Sequence, residues 1–148
     1  MTRPRRTKPV LGWREWVALP DLGVAAIKTK VDTGARTSVL HAFRLHEFTD
    51  SDHPWVRFEI HPEQRSARSS LTVECPVAGY RKVRSSTGHV QTRPVIRTSI
   101  ELAGQRWPID VTLTSRDEMG FRMLIGRAAI KGRFLVDPSR SYLHASQP

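Results

Sequence analysis

A strand that runs straight into a carboxylate on a tight turn constrains this chain more than any other feature. Residues Val24-Ala25-Ala26-Ile27-Lys28-Thr29-Lys30-Val31 read as the strand, and Asp32-Thr33-Gly34-Ala35 as the turn. Successive side chains on a strand point to opposite faces. Ile27, Thr29 and Val31 therefore share one face, and Lys28, Lys30 and Asp32 share the other. Gly34 has no Cβ and lets the backbone turn closely, while Thr33 offers a hydroxyl for hydrogen bonding. About ninety residues later comes a second apolar-apolar-Gly element, Met123-Leu124-Ile125-Gly126-Arg127. An Asp-Thr-Gly triplet alone is a common turn. The flanking strand, Ala35 after the turn and the distant Leu-Ile-Gly-Arg set this one apart.

The rest of the chain carries β patterning. Trp16-Val17-Ala18-Leu19 before Pro20-Asp21-Leu22-Gly23 reads as a strand and a turn. Val39 to Leu45 and Trp55 to Ile60 read as further strands, and Glu63 to Ser70 as a polar loop. Val77 to Ile96 holds Ser85-Ser86-Thr87-Gly88, a turn signal between two strand-like arms. Val95 to Leu102, Ala103-Gly104-Gln105 and Arg106 to Leu113 form a predicted hairpin. Arg127 to Lys131 is the one short helix expected. Phe134-Leu135-Val136, Asp137-Pro138-Ser139-Arg140 and Ser141-Tyr142-Leu143 read as a terminal hairpin. A chain of 148 residues makes one domain with one modest core. Short strands separated by turn signals predict an all-β, closed or partly closed barrel over residues 11–148. A basic flexible tail is expected at residues 1–10.

These motifs carry a resemblance. Lys30-Val31-Asp32-Thr33-Gly34-Ala35-Arg36-Thr37-Ser38 with Leu40-His41-Ala42 is similar to bacterial retropepsin-like proteins long labelled ATP-dependent zinc proteases. Gly12-Trp13-Arg14-Glu15, Arg84-Ser85-Ser86-Thr87-Gly88-His89-Val90-Gln91, Leu124-Ile125-Gly126-Arg127 and Phe134-Leu135-Val136-Asp137-Pro138 complete the match. It spans roughly residues 11 to 145. The resemblance implies a retropepsin-like acid-protease barrel and an aspartic endopeptidase. Such enzymes carry one Asp per subunit and assemble the site from two, which implies a homodimer. Two carboxylates held about 3 Å apart cannot both ionise, so they share a proton. One acts as general base on water and the other as acid toward the carbonyl oxygen, with no cofactor or metal. Some family members are associated with ATP-grasp ligases that add glutamates to proteins. A functional link to such a ligase, and an acidic or oligoglutamate substrate, follow as expectations.

The comparison also assigns roles residue by residue. Asp32 is the expected catalytic residue, with Thr33 and Gly34 supporting it. The interval with Ser86, Gly88 and His89 corresponds to the flap that covers bound peptide, and Ala35 and Arg36 follow the catalytic turn. Gly126 and Arg127 are structural supports. In several retropepsins the equivalent Arg pairs with an acidic residue four positions beyond the catalytic Asp, but here that position is Arg36. Arg127 is therefore expected either to find another carboxylate, such as Asp137 or Glu15, or to belong to a dimer built differently. The position two before the catalytic Asp is usually apolar and lines a side-chain pocket. Here it is Lys30, and Arg122, two before Leu124, approaches the same pocket. Lys30, Arg36 and Arg122 together predict a cation-lined cleft suited to glutamate or aspartate, since a half-buried cation wants a partner.

Charge and composition bound the alternatives. The net charge of +10 predicts attraction to anions, although four positive charges lie within the first nine residues. A catalytically inactive β-barrel that binds polyanions such as RNA is the competing reading. Eleven aromatic residues with no clustered strand pattern argue against an RNA reader. The six histidines, His41, His46, His53, His61, His89 and His144, form no His-Glu-x-x-His or close Cys/His cluster. His41 and His89 lie near the turn and the flap, within reach of a substrate. The single cysteine, Cys75, excludes an intrachain disulfide. No apolar run approaches the ~20 residues that span a bilayer, and no secretory signal is visible. A cytoplasmic protein is the default expectation.

Overall fold

A computed structural model of the chain describes residues 7–63, 70–84, 87–115 and 120–144. Its elements are β1 (Val10–Leu11), β2 (Arg14–Leu19), β3 (Val24–Asp32), β4 (Ser38–His41), β5 (Phe43–Asp50) and β6 (His53–Ile60). There follow β7 (Leu71–Pro76), β8 (Gly79–Arg84), β9 (Val90–Leu102), β10 (Gln105–Thr114), β11 (Met123–Gly126), α1 (Arg127–Ile130) and β12 (Leu135–Val136). Among the described residues no helix is long and apolar enough to cross a membrane.

Six strands close on themselves in the order β2-β3-β11-β4-β10-β9, with β9 returning to β2. The pairing is mixed: β11 runs parallel to β3, and β10 runs parallel to β4. The first follows from one event. After β3 the chain turns through Asp32 into β4, and β11 later inserts between those two strands. The expected barrel with one short helix is the architecture observed.

The alternation read from the sequence fills this barrel. Ile27, Thr29 and Val31 of β3 point inward and are buried, as are Val17, Leu40, Ile100, Val111, Leu113, Met123 and Ile125. The alternation shifts by one at Ala25-Ala26, because Val17 pairs with Ile27 while Leu19 pairs with Val24. The extra residue on β3 is a bulge that brings Val24 to the core side.

Outside the ring, β5, β6 and β7 form a three-stranded antiparallel sheet. The expected single strand from Val39 to Leu45 is instead two. β4 pairs with β10 and β11, whereas β5 pairs with β6. Buried Ala42 is the joint between them, its N–H donating to Thr114 O at 2.7 Å. Cys75 lies on β7, where burial pushes its thiol up to about 11. It remains a protonated, packed side chain at neutral pH. Much of the polar interval at 63–70 lies outside the described residues, as do residues 1–6 of the expected tail. Val10 belongs to β1.

The expected terminal hairpin does not form. Leu135 and Val136 pair in parallel with Val10 and Leu11 instead. Pro138 follows immediately, and Asp137 turns the chain by accepting bonds from Ser139 N and Oγ. Residues 141–143 then end on Glu15, a fully buried carboxylate on the inner face of β2. Its oxygens accept from Gly12 N at 2.7 Å, Leu143 N at 2.9 and 3.1 Å, and His144 N at 3.4 Å. One side chain thus ties the start of the barrel to the end of the described chain. Bonds to a charged group are worth about 1.5–3 kcal/mol, and an orphaned buried N–H costs about 1–3 kcal/mol. Glu15→Ala is expected to lose roughly 3 kcal/mol or more, and Glu15→Gln, which keeps an acceptor oxygen, to lose less. Urea unfolding of the three proteins checks this order, and an undiminished midpoint for the alanine variant would refute it.

Candidate active site

Asp32 ends β3 and sits opposite Gly126 of β11 in register. Its Oδ1 accepts from Gly34 N at 3.0 Å, and its backbone carbonyl accepts from Ala35 N at 3.2 Å. Both bonds are local and fix the carboxylate on its turn. A Cβ on Gly34 would lie 3.3 Å from Asp32 Oδ1, so the absence of a side chain is what gives that oxygen its room.

The turn is fastened to the distant element by four bonds. Arg127 N donates to Ala35 O at 2.8 Å and Ala128 N to Arg36 O at 3.1 Å. Gly126 N donates to Ser38 Oγ at 3.1 Å, and Arg127 Nη1 to Gly34 O at 3.1 Å. The approach is closest at Gly126. A Cβ there would lie 2.5 Å from Thr37 C and 2.6 Å from Thr37 O.

Register defines the face on which Asp32 stands. Arg14, Lys30, Leu124 and Val39 lie side by side in the next row, and Trp16, paired with Lys28, stands in the row beyond. Lys30 is half-buried and lies two residues from Asp32 on that face, roughly 7 Å along the strand. Arg122 follows Leu124's parity onto the same face. Its guanidinium packs over Phe43 with Cζ 4.8 Å from the ring centroid and donates to His41 Nδ1 at 3.4 Å. Its Nε is buried with no hydrogen-bond partner among the described residues. His41 is itself buried, donates from Nε2 to Ser115 O at 3.1 Å and stacks on Phe43. It packs at the end of β4, three residues beyond Ser38. An aromatic wall borders this face: Lys28 lies over Phe121, Phe121 meets Trp13 edge-on, and Arg14 lies over both Trp13 and Tyr142.

Arg127 finds neither carboxylate proposed for it. Asp137 is engaged by Ser139, and Glu15 by three backbone N–H groups. The Arg127 guanidinium instead braces the Asp32 turn through the Gly34 carbonyl. Arg36 is exposed at the far end of that turn. The hairpin of β8 and β9 pairs from Gly79–Val95 to Arg84–Val90. Gly88 lies at its tip with a positive φ of 86°, and exposed His89 follows. Ser86 lies outside the described residues. Among those residues, no three His, Cys, Asp or Glu side chains cluster as metal ligands.

The chain matches the RimB-like family, described as the retropepsin-like aspartic endopeptidase RimB, over residues 10–147. It belongs to that family. The expected catalytic class, aspartic endopeptidase, is the class of this RimB-like family. A solved Legionella pneumophila protein of unknown function, Lpg0085, has the same fold, with a TM-score of 0.76 and 27% identity over 94% of this chain and all of that one. A probable alpha-L-glutamate ligase of Shewanella halifaxensis is 46% identical over 140 residues, 95% of this chain. Another of that name from Parasynechococcus marenigrum is 47% identical over 135 residues, 91% of this chain. This RimB-like chain spans only 31% and 29% of the lengths of those two relatives.

Sequence reasoning missed Ser38, whose hydroxyl holds Gly126, and the clamp at Glu15. The partner of Ser38, and Leu143 and His144 at Glu15, come from remote parts of the chain and leave no local signal. The contact at Gly126 generates a direct test. Its obstruction is backbone, which no rotamer change relieves, so Gly126→Ala must push β11 away from the Asp32 turn. Overpacking of this kind costs typically 1–3 kcal/mol. Gly126→Ala is expected to unfold several degrees earlier than the parent and to lose activity out of proportion, as judged by thermal unfolding beside a peptidase assay.

Proposed function

We propose that this chain is an endopeptidase whose catalytic dyad joins Asp32 of one chain to Asp32 of a second across a two-fold axis. One carboxylate takes a proton from water, and the other donates one to the scissile carbonyl oxygen. The observation that carries this reading is the single Asp32, held by Gly34 N–H on a turn bonded to β11. One chain supplies one such carboxylate, so a dyad needs a symmetric partner. Thr33, exposed beside Asp32, is suited to bond across that axis. The β8–β9 hairpin, with Gly88 and His89 at its tip, is suited to cover a bound peptide.

The substrate we propose is an acidic or glutamate-rich protein segment. Lys30 occupies the row next to Asp32, and the part-exposed Arg122 guanidinium packs over Phe43 beyond it. A substrate carboxylate is suited to pair with such cations through a charge-assisted bond. The relatives named as glutamate ligases support the same reading and a functional link to an ATP-grasp ligase.

Asn matches Asp in shape but cannot exchange the shared proton. Asp32→Asn is therefore expected to keep the fold by circular dichroism and to lose turnover of a glutamate-rich peptide. Specific activity of the parent is expected to fall on dilution as the dimer dissociates. Full activity in the folded Asn variant would refute the Asp32 mechanism, and no turnover by the parent at any concentration would leave an inactive, polyanion-binding barrel as the better description.

Specificity has its own test. Lys30→Leu is expected to lower kcat/KM on an acidic peptide and raise it on a matched apolar one, shifting the ratio roughly tenfold, the effect of ~1.4 kcal/mol. The parent's preference is expected to weaken with salt, because exposed charges are screened beyond ~8 Å at physiological ionic strength. An unchanged ratio would mean that Lys30 does not meet the substrate.

A further inference from the structure

A second concentration of positive charge lies beyond the catalytic turn. A groove of about 410 Å³ is lined by Arg36, Arg81, Arg97, Lys131 and Arg133, with Asp110 as the one carboxylate among the described residues lining it. Four separate parts of the fold bring these side chains together. Arg36 ends the Asp32 turn, and Arg81 stands on β8, an arm of the hairpin above it. Arg97 comes from β9, and Lys131 and Arg133 follow α1. Arg97 is partly neutralised by Asp110 at 3.1 Å. Arg133 is steadied by Gln105 at 3.4 Å and lies 4.7 Å over the Trp107 ring. The groove therefore stays net positive, and its walls are held in place by contacts that do not consume most of that charge.

Its position decides what it can meet. The groove begins at Arg36, four residues from Asp32, which chain geometry limits to roughly 14 Å. An extended peptide advances about 3.3 Å per residue. A chain crossing Asp32 under the β8–β9 hairpin thus reaches the start of the groove within about four residues of the scissile bond. Four of the five cations are arginines, whose planar fork suits carboxylates. Nucleic acid is the poorer fit, because single strands bind by stacking bases on exposed aromatic faces. The one aromatic ring in the groove, Trp107, is 6% exposed and lies beneath Arg133.

We propose that this groove is a distal subsite, beginning within about four residues of the bond cut, that binds the carboxylates of an acidic peptide, so that the enzyme responds to the length of an acidic run. The inference rests on the peptidase reading above and adds to it a length requirement that Lys30 and Arg122 do not supply. Charge here acts mainly through affinity: an acidic run too short to span from Asp32 to Arg81 and Lys131 is held only at the catalytic turn.

Binding to the Asp32→Asn protein separates this proposal from the question of turnover. The probes are fluorescein-labelled tetraglutamate and octaglutamate, followed by anisotropy at two salt concentrations. In the Asp32→Asn background, the longer probe is expected to bind at least tenfold more tightly. Adding Arg81→Gln and Lys131→Gln is expected to remove most of that advantage while leaving tetraglutamate binding within about twofold. Arg57→Gln paired with Lys82→Gln removes the same charge elsewhere and is expected to keep the advantage. Thermal unfolding checks that each variant is folded. Equal losses in the groove and control variants would reduce the effect to net charge and overturn the subsite, as would an unchanged advantage in the groove variant. Tighter binding of a single-stranded RNA 12-mer than of octaglutamate, lost in the same groove variant, would assign the groove to nucleic acid instead. With Asp32 intact, an inactive protein that still discriminates by length would refute the peptidase reading and leave the groove standing.

Discussion

The contact between Gly126 and the backbone of Thr37 is the constraint on which the rest of this structure depends. A strand from late in the chain has to enter between two strands joined by the Asp32 turn. It can do so only where two backbones approach without an intervening side chain. Once it is in place, the last residue of β11 lies opposite Asp32, and the first N–H groups of α1 reach the carbonyls of Ala35 and Arg36. Ring closure and the parallel pairing of β3 with β11 depend on that insertion, while Gly34 N–H sets the carboxylate on the turn so held. The same logic explains Arg127, which braces the turn from outside through the Gly34 carbonyl.

Glu15 does for the ends of the chain what Gly126 does for the middle. A buried carboxylate is costly unless its lone pairs are satisfied. Here backbone N–H groups from Gly12, Leu143 and His144 satisfy them. The barrel's first long strand and its final segment are thereby made interdependent. Beside this clamp, Arg14 between Trp13 and Tyr142 stiffens the edge of the Asp32 face with contacts that do not neutralise its charge.

Positive charge is distributed in a graded way around Asp32. Lys30 lies close along the strand and Arg122 further out against Phe43. Arg36 leads away on the other side toward Arg81, Arg97, Lys131 and Arg133. The basic balance of the whole chain is thus not merely a property of its N-terminal residues. Much of it is assembled by strands that are far apart in sequence, on both sides of one carboxylate. The extended acidic ligand proposed above would meet a separate counter-charge at each of several successive positions.

The sequence by itself determined what depends on local periodicity and turn chemistry. The two faces of β3, the β9–β10 hairpin at Ala103-Gly104 and the short helix after Gly126 were all legible. The family was legible too, from the residues around Asp32 and Gly126. Tertiary structure decided what depends on which strands meet. The break at Ala42 arises because β4 and β5 join different sheets, a choice invisible in the run from Val39 to Leu45. The end of the chain pairs with β1 and Glu15 rather than with itself, since remote N–H and carboxylate partners outcompete a hairpin interrupted by Pro138. Arg127 likewise chose a backbone carbonyl over either carboxylate that sequence offered. The groove beyond Arg36 exists only because β8, β9 and the segment after α1 converge there. Local sequence fixes what a strand presents on each face; only folding fixes what that face will meet.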